Sequence, residues 1–160
     1  MTQIRAARAS DYDLVLPLFL GLREFSRAGH PPQADDFGSV LAASREYLRE
    51  VLARGPECTT LLALAEDGRL AGYVVVSIHE PNPLTSSGAV RSGSIDELFL
   101  DTTSRGQGVG RLLVSAACDW LAELRAERVE VGAYAWNAAA IAFYKREGFA
   151  PQTITFTKDI

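Results

Sequence analysis

The stretch Arg105-Gly106-Gln107-Gly108-Val109-Gly110 joins a strand-like run, Ser94-Ile95-Asp96-Glu97-Leu98-Phe99-Leu100, to a helix with a sharply defined apolar face. That helix carries Val109, Leu112, Leu113, Ala116, Ala117, Trp120, Leu121 and Leu124 at the i, i+3, i+4, i+7 spacing of one buried stripe. Glycines let bare backbone approach a ligand. The first-turn N–H groups of a helix have no partner within it, and the helix dipole adds roughly half a positive charge there. The expected guest is anionic, most naturally a phosphate or pyrophosphate. Arg105 and Arg111 flank the loop and reinforce that sign.

Position excludes the commoner glycine loops. A P-loop ends in Gly-Lys-Ser/Thr, whereas Gly110 is followed by Arg111-Leu112, with no hydroxyl for magnesium. A dinucleotide fingerprint begun at Gly106 needs glycine where Arg111 stands; begun at Gly108 it needs glycine where Leu113 stands. The loop also lies past the midpoint of the chain, and such a fingerprint usually opens its βαβ unit.

Composition sets the outer limits. With 160 residues, 48% hydrophobic and 22% charged, the chain is long enough for one domain over residues 1–160 with a proper core. A net charge of −4 and the lack of any Lys/Arg run argue against nucleic acid as a partner. Cys58 and Cys118 do not make a disulfide framework, and Cys118 reads as a small core residue beside the helix stripe. His30 and His79 fall in different loops without metal-ligand spacing, so no metal is expected. No signal pattern and no apolar run of about 18 residues occurs, which makes the membrane an unexpected partner and the cytoplasm the default location.

Along the chain the elements alternate between strand and helix. Ile4 to Ala7 reads as a short strand. Ser10 or Asp11 caps a helix bearing Leu14, Leu18 and Leu22 on one side, with Pro17 forcing an early start or a kink. A loop at Gly29-His30-Pro31-Pro32 leads to a helix over Phe37 to Leu52, stopped by Gly55-Pro56. Thr59 to Ala65 and Leu70 to Ile78 form a hairpin around Glu66-Asp67-Gly68-Arg69. A polar loop from Pro81 to Gly88 precedes the strand and glycine loop already described. After the long helix come a strand at Arg128 to Ala133, a helix over Ala138 to Arg146 closed by Gly148, and a last strand pair.

The segment from Asn137 to Phe149 reads N-A-A-A-I-A-F-Y-K-R-E-G-F. Together with the glycine loop it resembles the GNAT superfamily of N-acetyltransferases. The acyl-CoA loop of that family, Arg/Gln-x-x-Gly-x-Gly/Ala, is met by Arg105, Gly108 and Gly110. Its later Asn-x-x-Ala-x-x-Phe-Tyr-x-x-x-Gly-Phe segment is met by Asn137, Ala140, Phe143, Tyr144, Gly148 and Phe149. The likeness is strongest from Ile95 to Phe149; the opening Ile4 to Asp11 and a closing strand at Thr153 to Lys158 are also similar.

The resemblance implies an α/β fold: a mixed central sheet of about six to seven strands, helices on both faces, and a splayed cofactor cleft. It implies acetyl-CoA as co-substrate. Leu98, Phe99 and Leu100 would offer backbone hydrogen bonds to the pantetheine arm, and an N–H near Leu100 would face the thioester oxygen. Gly106, Gln107, Gly108, Val109, Gly110 and Arg111, with Arg105, would hold the pyrophosphate, although Arg111 also fits a solvated helix position. Tyr144 would protonate the leaving thiolate, against the alternative of an amphipathic core tyrosine. Asn137 would cap the following helix and contact the cofactor arm.

An alkyl ammonium has a pKa near 10.4, so only about one molecule in 10³ is the free amine at pH 7. Something must take its proton. Glu97 is the chosen base; a salt-bridged strand carboxylate, the adjacent Asp96 or water are the alternatives. Simple alternation puts Ile95, Glu97 and Phe99 on one face and Asp96, Leu98 and Leu100 on the other, unless a bulge intervenes. Some relatives carry a glutamate five residues before the motif asparagine; here that position is Gly132, a departure from the branch that modifies protein N-termini. Asp35-Asp36 and His79-Glu80 border two loops that in this family approach the acceptor. The expected partner is a small-molecule or peptide amine, with room for a homodimer. The alternatives are transfer of another acyl group, such as succinyl or propionyl, and a CoA-binding module without turnover.

Overall fold

The computed structural model describes residues 1–30, 36–84 and 89–158. The chain enters on strand β1 (Gln3–Ala6) and a single turn of 3-10 helix at Ala9–Asp11, then helix α1 (Tyr12–Ala28). Asp11 pins this turn to β1: its carboxylate accepts from both Arg5 guanidinium nitrogens at 2.8 and 2.7 Å and from the Arg8 N–H at 2.7 Å. The Arg5 hydrogen bonds, above the other causes, pull the Asp11 carboxyl down to about 2. Helix α1 runs on through Pro17, which forgoes one N–H bond without ending it. Its fully buried positions are Val15 and Phe19; Leu18 and Leu22 of the expected row pack partly buried against the same core, and Leu14 is exposed. Bulk decided the face, because Phe19 fills the space against Tyr73 and Tyr47.

Helix α2 (Phe37–Ala53) packs beside α1, and its start is capped by Asp36, which accepts from the Gly38 N–H at 2.9 Å. Strands β2 (Cys58–Leu64) and β3 (Leu70–His79) form the expected hairpin, where Gly68 takes φ +80° and bonds back to the Ala65 carbonyl. Strand β4 (Ser92–Leu100), helix α3 (Val109–Glu123), strand β5 (Arg128–Val131) and helix α4 (Ala138–Arg146) complete the order. No helix among the described residues is long and apolar enough to cross a membrane.

The strands lie in sequence order, antiparallel from β1 to β4, with β5 parallel to β4. A parallel neighbour requires a crossover, and α3 supplies it. Leu61, Ala63, Val74, Val76, Ile78 and Ile95 bury one sheet face under Leu113, Ala117 and Leu121 of α3. The other face places Leu62, Tyr73 and Val75 against Val15 and Phe19 of α1 and Leu48 and Val51 of α2. Helices therefore cover both faces, as expected.

Five strands form among the described residues, fewer than the expected six to seven. The closing strand is the difference. Residues 150–158 carry no strand pairing and are exposed throughout, with Ile154 at 79% and Phe156 at 89%. The Thr-Ile-Thr-Phe-Thr alternation has strand propensity, but propensity without a backbone partner and a surface to bury does not make a strand.

Candidate active site

β4 and β5 are paired only from Ser92↔Arg128 to Ile95↔Val131. Beyond that point β4 continues for five residues, Asp96 to Leu100, still paired to β3 on its other edge, while β5 has ended. The two strands fork. Backbone groups of Leu98, Phe99 and Leu100 that do not serve β3 face the gap; the Leu100 carbonyl takes a hydrogen bond from Arg105 Nη2 at 3.4 Å.

A bulge sits at the apex. Val75 pairs with Glu97 and Val76 with Ile95, so Asp96 has no opposite residue. Ile95 therefore shares the α3 face with Leu98 and Leu100, while Glu97 and Phe99 face α1. The extra residue moves Ile95 out of the row that simple alternation assigns it. Asp96 is turned to the α1 side as well, bonded to the hydroxyls of Ser77 and Ser94.

The glycine loop closes the mouth of the fork, and its glycines do different work. Gly106 and Gly108 take φ +75° and +81°, with open space where a Cβ would stand. Gly108 is the residue before α3, and no side chain caps that helix. Gln107, the nearest polar side chain, turns back to the Thr103 carbonyl at 2.7 Å. Gly110 is a packing residue instead: a Cβ there would sit 3.2 Å from Phe143 and 3.4 Å from Leu100. Val109 is buried in the α3-side core. Arg111 pairs with Glu147 at 3.2 Å, tying α3 to the end of α4, and Arg105 lies over the rings of Phe99 and Phe25.

Helix α4 rests against the first turn of α3 through Phe143. Asn137 caps it, accepting from the Ala140 N–H at 3.1 Å. Gly148 closes it at φ +90°. Tyr144 stands between the rings of Phe143 and Phe149, its hydroxyl without a hydrogen-bond partner among the described residues. Burial pushes the phenol up to about 12, so it is fully protonated at neutral pH. Gly132 lies just past the end of β5.

On the α1 side, Glu97 is committed on both oxygens, one to Arg23 Nη2 at 2.5 Å and the other to the Tyr73 hydroxyl at 3.0 Å. Burial, reinforced by the Glu97 charge, pushes the Tyr73 phenol well above its ordinary value. An aromatic row spans the gap beneath the fork. Phe99 meets Phe25 at 5.9 Å, Phe25 meets Trp136 at 5.5 Å, and Tyr134 stacks on Trp136 at 5.3 Å and 10°. His30, held by the Ser26 carbonyl, stands edge-on to Tyr134 and Trp136. Gly29 makes room for this, since a Cβ there would lie 2.2 Å from the Trp136 ring. The sequence holds no periodic signal for this row, because its members come from three separate elements. Of the two acidic loop borders, Asp36 caps α2, Glu80 pairs with Arg91, and Asp35 lies outside the described residues.

The family model for the acetyltransferase (GNAT) family matches residues 23–149. The chain belongs to this family. It is 36% identical over 133 residues to a mycothiol acetyltransferase of Salinispora tropica, covering 82% of this chain and 40% of that protein. A streptothricin acetyltransferase of Streptomyces lavendulae is 33% identical over 91 residues, covering 57% of this chain and 44% of that protein. The chain thus spans less than half the length of these relatives. Among solved structures, a mutant form of the BH1408 protein from Bacillus halodurans shares the fold, with a TM-score of 0.80 at 22% identity over 99% of both chains.

Proposed function

We propose that this chain is an acetyl-CoA-dependent N-acetyltransferase acting on a small-molecule primary amine by direct attack. The observation that carries the reading is the uncapped start of α3, where left-handed Gly108 opens bare N–H groups onto the mouth of a strand fork. Gly106 and Gly108 take positive φ with open space where a Cβ would stand, so bare backbone there is accessible to a pyrophosphate. The loop Arg105 to Gly110 with Arg111 would hold that pyrophosphate, and the free edge of Leu98, Phe99 and Leu100 would hold the extended arm. Arg105 and Arg111, now occupied by Leu100 and Glu147, would reorient to supply charge.

Bound acetyl-CoA would supply an activated acyl group and a thiolate leaving group. Tyr144, whose hydroxyl has no hydrogen-bond partner among the described residues, is the acid that would donate to the departing sulfur. The amine proton goes to a carboxylate at the apex, where Glu97 and Asp96 lie side by side. Acetyl is the proposed group because the relatives above are named acetyltransferases. The free edge of β4 beyond the last β4–β5 pair and the placement of Tyr144 on α4 support turnover over a silent CoA-binding module.

The test is binding followed by turnover. Acetyl-CoA should bind in the micromolar range, about −8 kcal/mol, by calorimetry. An amine panel with thiol detection should show amine-dependent release of CoA. Absence of acetyl-CoA binding by the wild-type protein would remove the proposal altogether.

A further inference from the structure

The fork apex holds two neighbouring carboxylates in different chemical settings, and the setting decides which one can take a proton. Glu97 is 12% exposed and faces the guanidinium of Arg23, itself 19% exposed. Its second oxygen accepts from the buried Tyr73 hydroxyl. Protonating Glu97 would break this ion pair and leave the Arg23 charge shielded from water without its partner. Both Glu97 oxygens are thus engaged within the fold and largely shielded from an incoming amine.

Asp96 is held by neutral groups only. One oxygen accepts from the Ser77 hydroxyl and the other from the Ser94 hydroxyl. Ser94 has a single proton and gives it to Asp96, so the contact at 2.8 Å between Ser94 Oγ and His79 Nε2 requires His79 to donate. A chain His79, Ser94, Asp96 thus runs along the α1 face of β3 and β4 and ends on the one residue that the bulge leaves without a cross-strand partner. Asp96 is exposed, and it is the first β4 residue beyond the last β4–β5 pair.

We infer that Asp96 is the proton acceptor for the incoming amine, that His79 is a positioning residue acting through Ser94, and that Glu97 is structural. The inference rests on the transferase reading above. In the step, an N–H bond of the substrate ammonium breaks and an O–H bond forms on Asp96, leaving the nitrogen lone pair free. That lone pair forms the N–C bond to the acyl carbon as the C–S bond breaks, and the sulfur takes the Tyr144 proton. Asp96 returns its proton to water, to which it is open. Tyr144 recovers its proton from the second N–H lost as the amide forms. One proton is released per turnover.

The titratable groups on this face come from four elements. His79 and Tyr73 come from β3, Glu97 from β4 and Arg23 from α1, the last paired to Glu97. From β5, Glu130 is the register partner of Ser94 and lies on the same face, because Val129 and Val131 take the other. Arg128, the register partner of Ser92, lies on that face too, two residues along β5 from Glu130.

The experiment is the rate–pH profile of four variants with one accepted amine. Asp96→Asn should lose about 10²- to 10³-fold in turnover at pH 7, and the defect should shrink to less than about tenfold near pH 10, where the substrate supplies its own free base. His79→Ala should show a smaller loss of the same shape, and His79→Gln, which keeps a donor for Ser94, should restore most of it. Glu97→Gln should lower the melting temperature and give a rate offset that does not change with pH. A readout without acetyl-CoA runs in parallel: the ring nitrogen signals of His79 should shift in Asp96→Asn and stay put in Glu97→Gln. A pH-independent defect in Asp96→Asn, or a defect that vanishes at high pH in Glu97→Gln instead, overturns the inference. Wild-type protein that binds acetyl-CoA but releases no CoA with any amine overturns the transferase reading first, and this inference with it.

Discussion

Helices α2 and α4 begin in the same way, and α3 begins differently. Asp36 and Asn137 each turn a side-chain oxygen onto a first-turn N–H group, so those two helices satisfy donors from within the chain. Helix α3 starts at a left-handed glycine with no side-chain cap, and the neighbouring Gln107 points away. A capped start is worth about 1 kcal/mol. A helix that forgoes it, at the mouth of a strand fork, keeps its donors for a guest. In the proposed function this contrast puts binding at the start of α3, and α4 contributes through Tyr144 in its middle.

The largest effect follows from that division. Tyr144→Phe keeps the ring between Phe143 and Phe149 and removes only a hydroxyl that bonds to nothing described. Stability should change little and acetyl-CoA affinity should persist, while turnover falls by about 10²- to 10⁴-fold. Unchanged turnover would return Tyr144 to a packing role and leave α4 without chemistry.

Two glycines of the loop test the other half of the comparison. Gly108→Val forces a β-branched residue to φ +81°, a cost of about 1–3 kcal/mol, and places its side chain over the α3 donors. Acetyl-CoA affinity should drop by at least about 100-fold, or roughly 3 kcal/mol. Gly110→Ala should reverse the balance. Its added methyl presses Phe143 and Leu100, so the melting temperature should fall while binding is kept. Equal behaviour of the two variants by calorimetry and melting would erase the distinction between donor-exposing and packing glycines.

The glycine loop, the α4 segment and the order of elements were legible in the sequence because each rests on local rules: a period, a cap, a positive-φ glycine. Ala138 to Arg146 matches the observed helix end to end. What was not legible depends on pairings between distant residues. The bulge at Asp96 appears only when β4 is laid against β3, and it reverses the face of Ile95. The commitment of Glu97 needs Arg23, 74 residues away in the chain. The closing segment carried a strand's alternation without a strand's partner. The fully buried positions of α1 are Val15 and Phe19, with Leu18 and Leu22 packed beside them and Leu14 left exposed.

Helix α1 gives a third kind of start and a smaller effect. Asp11 precedes it, yet its carboxylate serves Arg5 and the Arg8 N–H rather than the helix. The folded carboxyl at about 2 lies below its ordinary 3.8, so the charged form contributes stability that is fully present above pH 4 and is lost as pH falls through 2. With both side chains partly exposed, the contribution is about 1–2 kcal/mol. Asp11→Asn should flatten the fall in unfolding free energy between pH 4 and 2, measured by denaturant titration. A slope equal to wild type would show that Asp11 does not bind β1 to the turn in solution.

The smallest effect sharpens the comparison most, because Asn137 sits where the two kinds of helix start meet. It caps α4 by geometry, and in the family motif the same residue is expected to touch the cofactor arm. Asn137→Ala removes both roles, at about 1 kcal/mol for the cap, or roughly 2–4 °C in melting temperature for a chain of this size. Asn137→Ser restores a capping oxygen on a shorter side chain and should recover the melting temperature. If capping is the whole role, serine also restores wild-type acetyl-CoA affinity. If the amide reaches the arm as well, Asn137→Ser regains stability but stays several-fold weaker for acetyl-CoA, since one hydrogen bond is worth about 0.5–1.5 kcal/mol. Calorimetry and melting on the same two variants separate the readings: recovery of both quantities by serine makes α4 self-contained, and recovery of stability alone makes its start, like that of α3, part of the binding site.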